Sequence, residues 1–228
     1  MPNLPVFFTE WSNSYTPRDP VHDSYISAPF VLYTLKRCEG YAESMGYWTF
    51  TDVFEEPGPG PYPFHGGFGL MNIQGLKKPT YHAWHWLCAL PNGALDTGDA
   101  DSWAAVDDTA LHVLLWDYTR PAQDTCNEEY FIRDLPAAPL PDVRVELTGL
   151  APGRYMLERS RTGYGVNDVY TLYLQTGLAT LHRQETPTPA QTETLRAMTG
   201  GAPETAEALC VGEDGCAALA VPMRENDV

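Results

Sequence analysis

Two short apolar runs separated by a helical stretch constrain this chain most. Pro5 to Thr9 is nearly continuous apolar sequence and ends in Glu10-Trp11. Such a run reads as a strand buried on both faces, as in a parallel sheet. Asp19-Pro20 then supplies an N-cap and a first helical residue. The helix is expected from Val21 to Arg37, kinked at Pro29 and stopped by Gly40. Met45 to Thr51 reads as a second buried strand. A Pro/Gly-rich loop, Glu56 to Pro63, follows, and then Phe64-His65-Gly66-Gly67-Phe68-Gly69-Leu70, with glycine where the backbone must turn or pack closely. Pro79 opens another helix to about Leu90, with Tyr81, Trp84, Leu87 and Cys88 at helical spacing. The order β-α-β-loop-α is that of an α/β fold.

The character changes near residue 91. Residues 1–90 hold 18 of the 27 aromatic residues and 8 acidic against 5 basic side chains, whereas residues 91–228 hold 22 acidic against 9 basic. Leu90 to Asp99 is rich in turn residues and reads as a linker or domain boundary. Beyond it the pattern is β throughout. Expected strands are Trp103–Asp107, Ala110–Trp116, Val143–Thr148, Gly153–Ser160, Tyr170–Thr176 and Ala217–Pro222, with one short helix over Thr188–Met198. Strands at this spacing fit an antiparallel sandwich. The expected division is 1–90 and 91–228.

The net charge of −16 argues against a nucleic-acid partner, because phosphate is repelled. There is no apolar run of about 18 residues, so no membrane span is expected. The N-terminal residues lack the basic and apolar regions of a secretory signal. The five cysteines show no Cys-x-x-Cys spacing, and buried free thiols are expected, with a Cys210–Cys216 hairpin disulfide the lesser alternative. His82 and His85 lie three apart without an acidic partner at metalloprotease spacing, so no metal is expected. Dinucleotide, Walker and Gly-x-Ser-x-Gly motifs are absent, and no cofactor is expected.

Glu10 is the first candidate for chemistry. A carboxylate at the C-terminal end of a buried parallel strand sits where α/β folds place active sites. Asp52, Glu55 and Glu56 follow the second strand, at the same end if the strands are parallel. Carboxylates accept hydrogen bonds from hydroxyls and aromatic faces pack on ring C–H groups, so such a cluster suits a sugar. The bland alternative is a solvated acidic loop. His65 reads as a structural or sugar-contacting residue.

Thr9-Glu10-Trp11, Arg18-Asp19-Pro20 with Asp23, Tyr47 to Glu56, Phe64 to Leu70 and Lys78-Pro79 together resemble family 39 glycoside hydrolases, nearest to the bacterial β-xylosidases. Leu114 to Tyr118, Asn167 to Tyr170 and Met223 to Val228 resemble that family's accessory β-sandwich. The resemblance implies an α/β remnant of a (β/α)8 TIM barrel, strands seven and eight only, followed by the sandwich. It implies Glu10 as catalytic nucleophile and Trp48, Glu55 and Glu56 in the sugar subsite. The substrate class implied is carbohydrate: xylose and xylo-oligosaccharides, cleaved with retention. The family's acid/base glutamate follows an asparagine upstream of the nucleophile. Here the Asn-Glu pair is Asn127-Glu128, in the wrong order, so the acid/base role is carried to no residue. Two barrel strands cannot close a barrel. Their exposed apolar surface would favour oligomers or aggregation. A non-catalytic carbohydrate-binding sandwich with a vestigial barrel is the alternative reading.

Overall fold

The computed structural model describes residues 4–54, 58–180 and 183–228. Strand β1 (Phe7–Trp11) pairs in parallel with β2 (Ser44–Tyr47), in the register Phe7↔Ser44 and Phe8↔Met45, with an irregularity before Trp11↔Tyr47. Helix α1 (Ser27–Cys38) makes the crossover between them, and α2 (Pro79–Ala89) packs against α1. Gly46 is required by this pairing, since a Cβ there would sit 2.7 Å from the Thr9 carbonyl oxygen.

The helical expectation over Val21–Arg37 is corrected at its start. Asp19 caps only a 3₁₀ turn, Pro20–His22, accepting from the Val21 N–H at 3.0 Å, and α1 begins at Ser27. Pro29 therefore falls in the first turn, where no intrahelical N–H is needed, and it has no ladder bond to break. The expectation of two-sided burial for β1 is also corrected. Phe7 is 59% and Phe8 43% exposed, although successive strand residues face opposite ways. One strand partner and two helices do not cover both faces of the pair.

The remaining strands are antiparallel. β3 (Gly93–Leu95), β4 (Ser102–Val106) and β5 (Leu111–Leu115) form a meander, so the expected linker carries a strand. Helix α3 spans Asn127–Tyr130. β6 (Val143–Leu147) pairs with β11 (Ala217–Val221), and β7 (Gly153–Arg159) with β10 (Thr205–Val211). Between them lie α4 (Val169–Gln175), the short pair β8 (Ala179–Thr180) and β9 (Arg183–Gln184), and α5 (Pro189–Met198). The stretch expected as strand Tyr170–Thr176 is thus helix, because Asp168 accepts from the Thr171 N–H and caps it. As a helix it buries Val169, Tyr170 and Tyr173 on one side.

Among the described residues three apolar clusters hold the chain together, and each joins residues from both sides of residue 91. One combines Ala28, Leu32 and Ala83 with Leu114, Trp116 and Val228. A second sets Phe64 and Leu76 against Val169, Tyr170, Tyr173 and Leu195. The third packs Val21, Tyr25 and Ile26 on Phe131. All five cysteines are free, and four are exposed rather than buried. Among the described residues no helix is long and apolar enough to cross a membrane.

Candidate active site

The parallel register brings the ends of β1 and β2 together. The Trp48 N–H donates to the Trp11 carbonyl at 2.9 Å, so Glu10 and Trp48 leave adjacent strand ends on the same edge of the pair. Glu10 is exposed. Next to it in sequence, Trp11 packs edge-on to Tyr47 at 5.3 Å between ring centroids, and both rings lean on Trp84 of α2. The half-buried Trp48 ring meets Phe54 edge-on at 5.6 Å, and the Trp48–Thr49 peptide is cis. Glu55 and Glu56 lie outside the described residues.

Asp52 is placed differently from the expectation of an open acidic cluster. It is buried, and Lys78 Nζ lies 2.7 Å from its Oδ2 and 2.6 Å from Asp23 Oδ1, with all three side chains inaccessible. Lys78 also donates to the Gly67 carbonyl at 2.8 Å. The Gly66 N–H donates to Asp23 Oδ2 and the Gly69 N–H to Asp52 Oδ1, each at 2.7 Å. Burial alone would push the Lys78 ammonium down, but the two carboxylates hold it above its usual range. Burial pushes the Asp52 carboxyl up, and Lys78 opposes that rise. This brace fixes the glycine-rich loop to the end of β2, and it removes Asp52 from contact with any ligand. The sequence carries the lysine next to Pro79, but nothing local marks its two partners, 55 and 26 positions earlier.

His22 ties the loop after β1 to the same glycine segment. Its Nδ1 lies 2.8 Å from the Gly66 carbonyl and its Nε2 2.9 Å from the Ser14 carbonyl, and its ring packs on Phe68. His65 is buried with Nδ1 2.7 Å from the Tyr62 carbonyl, and a Cβ on Gly60 would collide with its ring. Arg18 donates to the Gly58 carbonyl at 3.3 Å. Asn127 of α3 donates to Asp19 Oδ2 at 2.7 Å, so it tethers α3 to the turn after β1. Among the described residues no group of histidine, cysteine and acidic side chains is placed to hold a metal.

The family model described as glycosyl hydrolases family 39 matches residues 1–120. The chain belongs to this family. A β-xylosidase of Caldicellulosiruptor saccharolyticus is 43% identical over 109 residues, which is 47% of this chain and 22% of that protein. The crystal structure of the GH39 enzyme from Xanthomonas axonopodis pv. citri aligns with a TM-score of 0.93 and 46% identity, covering 99% of this chain and 44% of that one. A monomeric β-xylosidase from Caulobacter crescentus CB15 aligns with a TM-score of 0.92 and 42% identity over the same shares. This family 39 chain therefore spans less than half the length of the solved relatives it matches, and its architecture is that of part of such glycosidases.

Proposed function

We propose that this chain is the nucleophile-bearing part of a retaining exo-β-xylosidase. Residues 1–90 would be the last strands of a (β/α)8 barrel and residues 91–228 an accessory β-sandwich. The observation that carries the reading is the exposed carboxylate of Glu10 at the end of β1, beside Trp48 at the end of its parallel neighbour. In a retaining mechanism Glu10 attacks the anomeric carbon and forms a glycosyl-enzyme, while the leaving oxygen takes a proton from a second carboxyl about 5–5.5 Å away. Water, deprotonated by that second group, then releases xylose. Trp48, His65, Glu55 and Glu56 are read as walls of the sugar subsite. The braced loop would hold that wall in place.

No residue here is assigned the acid/base role, so that group belongs to a further segment of the barrel. General acid catalysis is worth about 10²–10⁴-fold. The chain alone should therefore hydrolyse ordinary aryl xylosides slowly. A 2-deoxy-2-fluoro-β-xyloside with a dinitrophenolate leaving group needs no acid for the first step. It should label Glu10, detectable by peptide mass spectrometry. Labelling at another carboxylate, or equal labelling of Glu10→Gln, would overturn the assignment.

A further inference from the structure

The turn-rich stretch between the two halves contains the dipeptide Asn92-Gly93. It follows α2 and the C-cap at Leu90, and Gly93 opens β3. Both residues are exposed. The Ala94 N–H donates to the Asn92 carbonyl at 3.0 Å, closing a three-residue turn centred on Gly93. Gly93 has no side chain to screen its backbone nitrogen from the Asn92 amide. Strand β4 requires glycine there, because a Cβ would collide with the Val106 carbonyl oxygen. No such demand falls on residue 92.

The other described asparagines are held. Asn13 Nδ2 donates to Ser27 Oγ at 2.9 Å, and Asn72 Oδ1 accepts from the Gln74 and Leu76 N–H groups. Asn127 donates to Asp19, Asn167 both donates and accepts, and Asn226 accepts from the Thr119 N–H. Among the described residues only the Asn92 side-chain amide makes no hydrogen bond, so it is free to swing toward the next residue. Asp214-Gly215 is the one other place where glycine follows an asparagine or aspartate. Both of its reacting groups are engaged: the Gly215 N–H donates to the Gly212 carbonyl at 3.1 Å, and Asp214 Oδ1 accepts from the Cys216 N–H at 3.2 Å.

We propose that Asn92 is a self-modification site, converting to aspartate and isoaspartate through attack by the Gly93 nitrogen. That nitrogen gives its proton to water and attacks Asn92 Cγ. The new C–N bond closes a succinimide ring as the Cγ–Nδ2 bond breaks, and ammonia leaves with a proton from water. A further water adds to either ring carbonyl and breaks its bond to the Gly93 nitrogen. Opening at Cγ gives aspartate. Opening at the main-chain carbonyl gives isoaspartate, in which the chain runs through Cβ and Cγ. The carbonyl that received the Ala94 N–H then becomes a free carboxylate outside the main chain, so the turn opens and β3 loses its register with β4. Strand β3 is an exposed edge and adds no residue to the three clusters, so the loss is local. The product marks the age of a chain without unfolding it.

The test incubates the 228-residue chain at neutral and at mildly alkaline pH and follows its peptides by mass spectrometry. The Asn92 peptide is expected to gain the mass difference between amide and acid before any other, and faster at the higher pH. On ion exchange the intact chain should gain one negative charge beyond its −16. Isoaspartate is read by methyl transfer from S-adenosylmethionine with a protein isoaspartate methyltransferase, and its consequence by faster hydrogen exchange at Ala94 and Leu95. Asn92→Gln should show none of these changes and unfold at the same urea concentration as the parent. An Asn92 peptide that stays intact while another asparagine converts would overturn the proposal. Conversion without a methyl-accepting product would mean direct hydrolysis and remove the ring-closing step. Methyl acceptance that persists in Asn92→Gln would place the reaction at Asp214 instead. Faster exchange spreading from β3 into the clusters would refute the local consequence.

Discussion

Lys78 Nζ lies 2.6 Å from Asp23 Oδ1, and neither side chain has any accessible surface. Removing one member of a buried charge cluster leaves its partners unpaired, which costs about 3–5 kcal/mol. Lys78→Met should lose stability on that scale in urea unfolding at pH 7. Both orphaned carboxylates would then bind protons more readily, so the variant should regain stability as the pH falls toward 4. A loss that does not change with pH would argue against charge as the cause.

Gly67 faces the same cluster. A Cβ there would lie 2.4 Å from Asp52 Oδ1, a carboxylate pinned by Lys78 and the Gly69 N–H. Gly67→Ala should cost about 1–3 kcal/mol, the usual range for overpacking. Thermal unfolding compared with Gly40→Ala, where nothing lies within 4 Å, separates crowding from backbone conformation.

Glu10 is exposed at its strand end and stands outside the three clusters. Exposed substitutions away from special features stay within about 0.5 kcal/mol. Glu10→Gln should therefore unfold at the same urea concentration as the parent while losing the fluoroxyloside label. Loss of both together would mean that the carboxylate is a structural group.

Two buried groups titrate in opposite senses. Burial pushes Asp168 up from 3.8 to about 6. Its contribution to stability is complete below pH 3.8 and is lost as the pH rises through 6. Burial, with the nearby Lys77 and His85, pushes His82 down from 6.5 to about 4. Its contribution is complete above pH 6.5 and is lost as the pH falls through 4. Each effect is on the order of 3 kcal/mol, so the two offset between pH 4 and 6.5. Asp168→Asn should expose a stability that climbs across this window, and His82→Gln one that declines. Urea titrations at several pH values would show this, and parallel curves for the two variants would refute it.

The βαβ order and most antiparallel strands were legible because their signals are local. Pro79 opens α2 and Thr188 with Gln191 forms a capping box at α5, as turn chemistry dictates. Val169–Gln175 misleads because its aromatic and β-branched residues favour strand, and only the Asp168 cap three residues before Thr171 outweighs them. Thr205–Val211 is alanine-rich and shows no strand pattern; it is one because Tyr155, Met156 and their neighbours offer it an edge. At the candidate site, the position of Glu10 near the end of β1 and the aromatic neighbours Trp11, Tyr47 and Trp48 follow from local sequence. The roles of Asp23, Asp52 and Lys78 could not, because burial and pairing depend on contacts far apart in sequence.

The step in charge at residue 91 marks what faces water, while the three clusters run across it without interruption. Recombination would feel that difference. A crossover near residue 90, joining this β-rich half to a different first half, would mismatch Leu32 with Trp116 and Phe64 with Tyr173 together. The two halves should thus be inherited as one unit, with substitutions on one side compensated on the other.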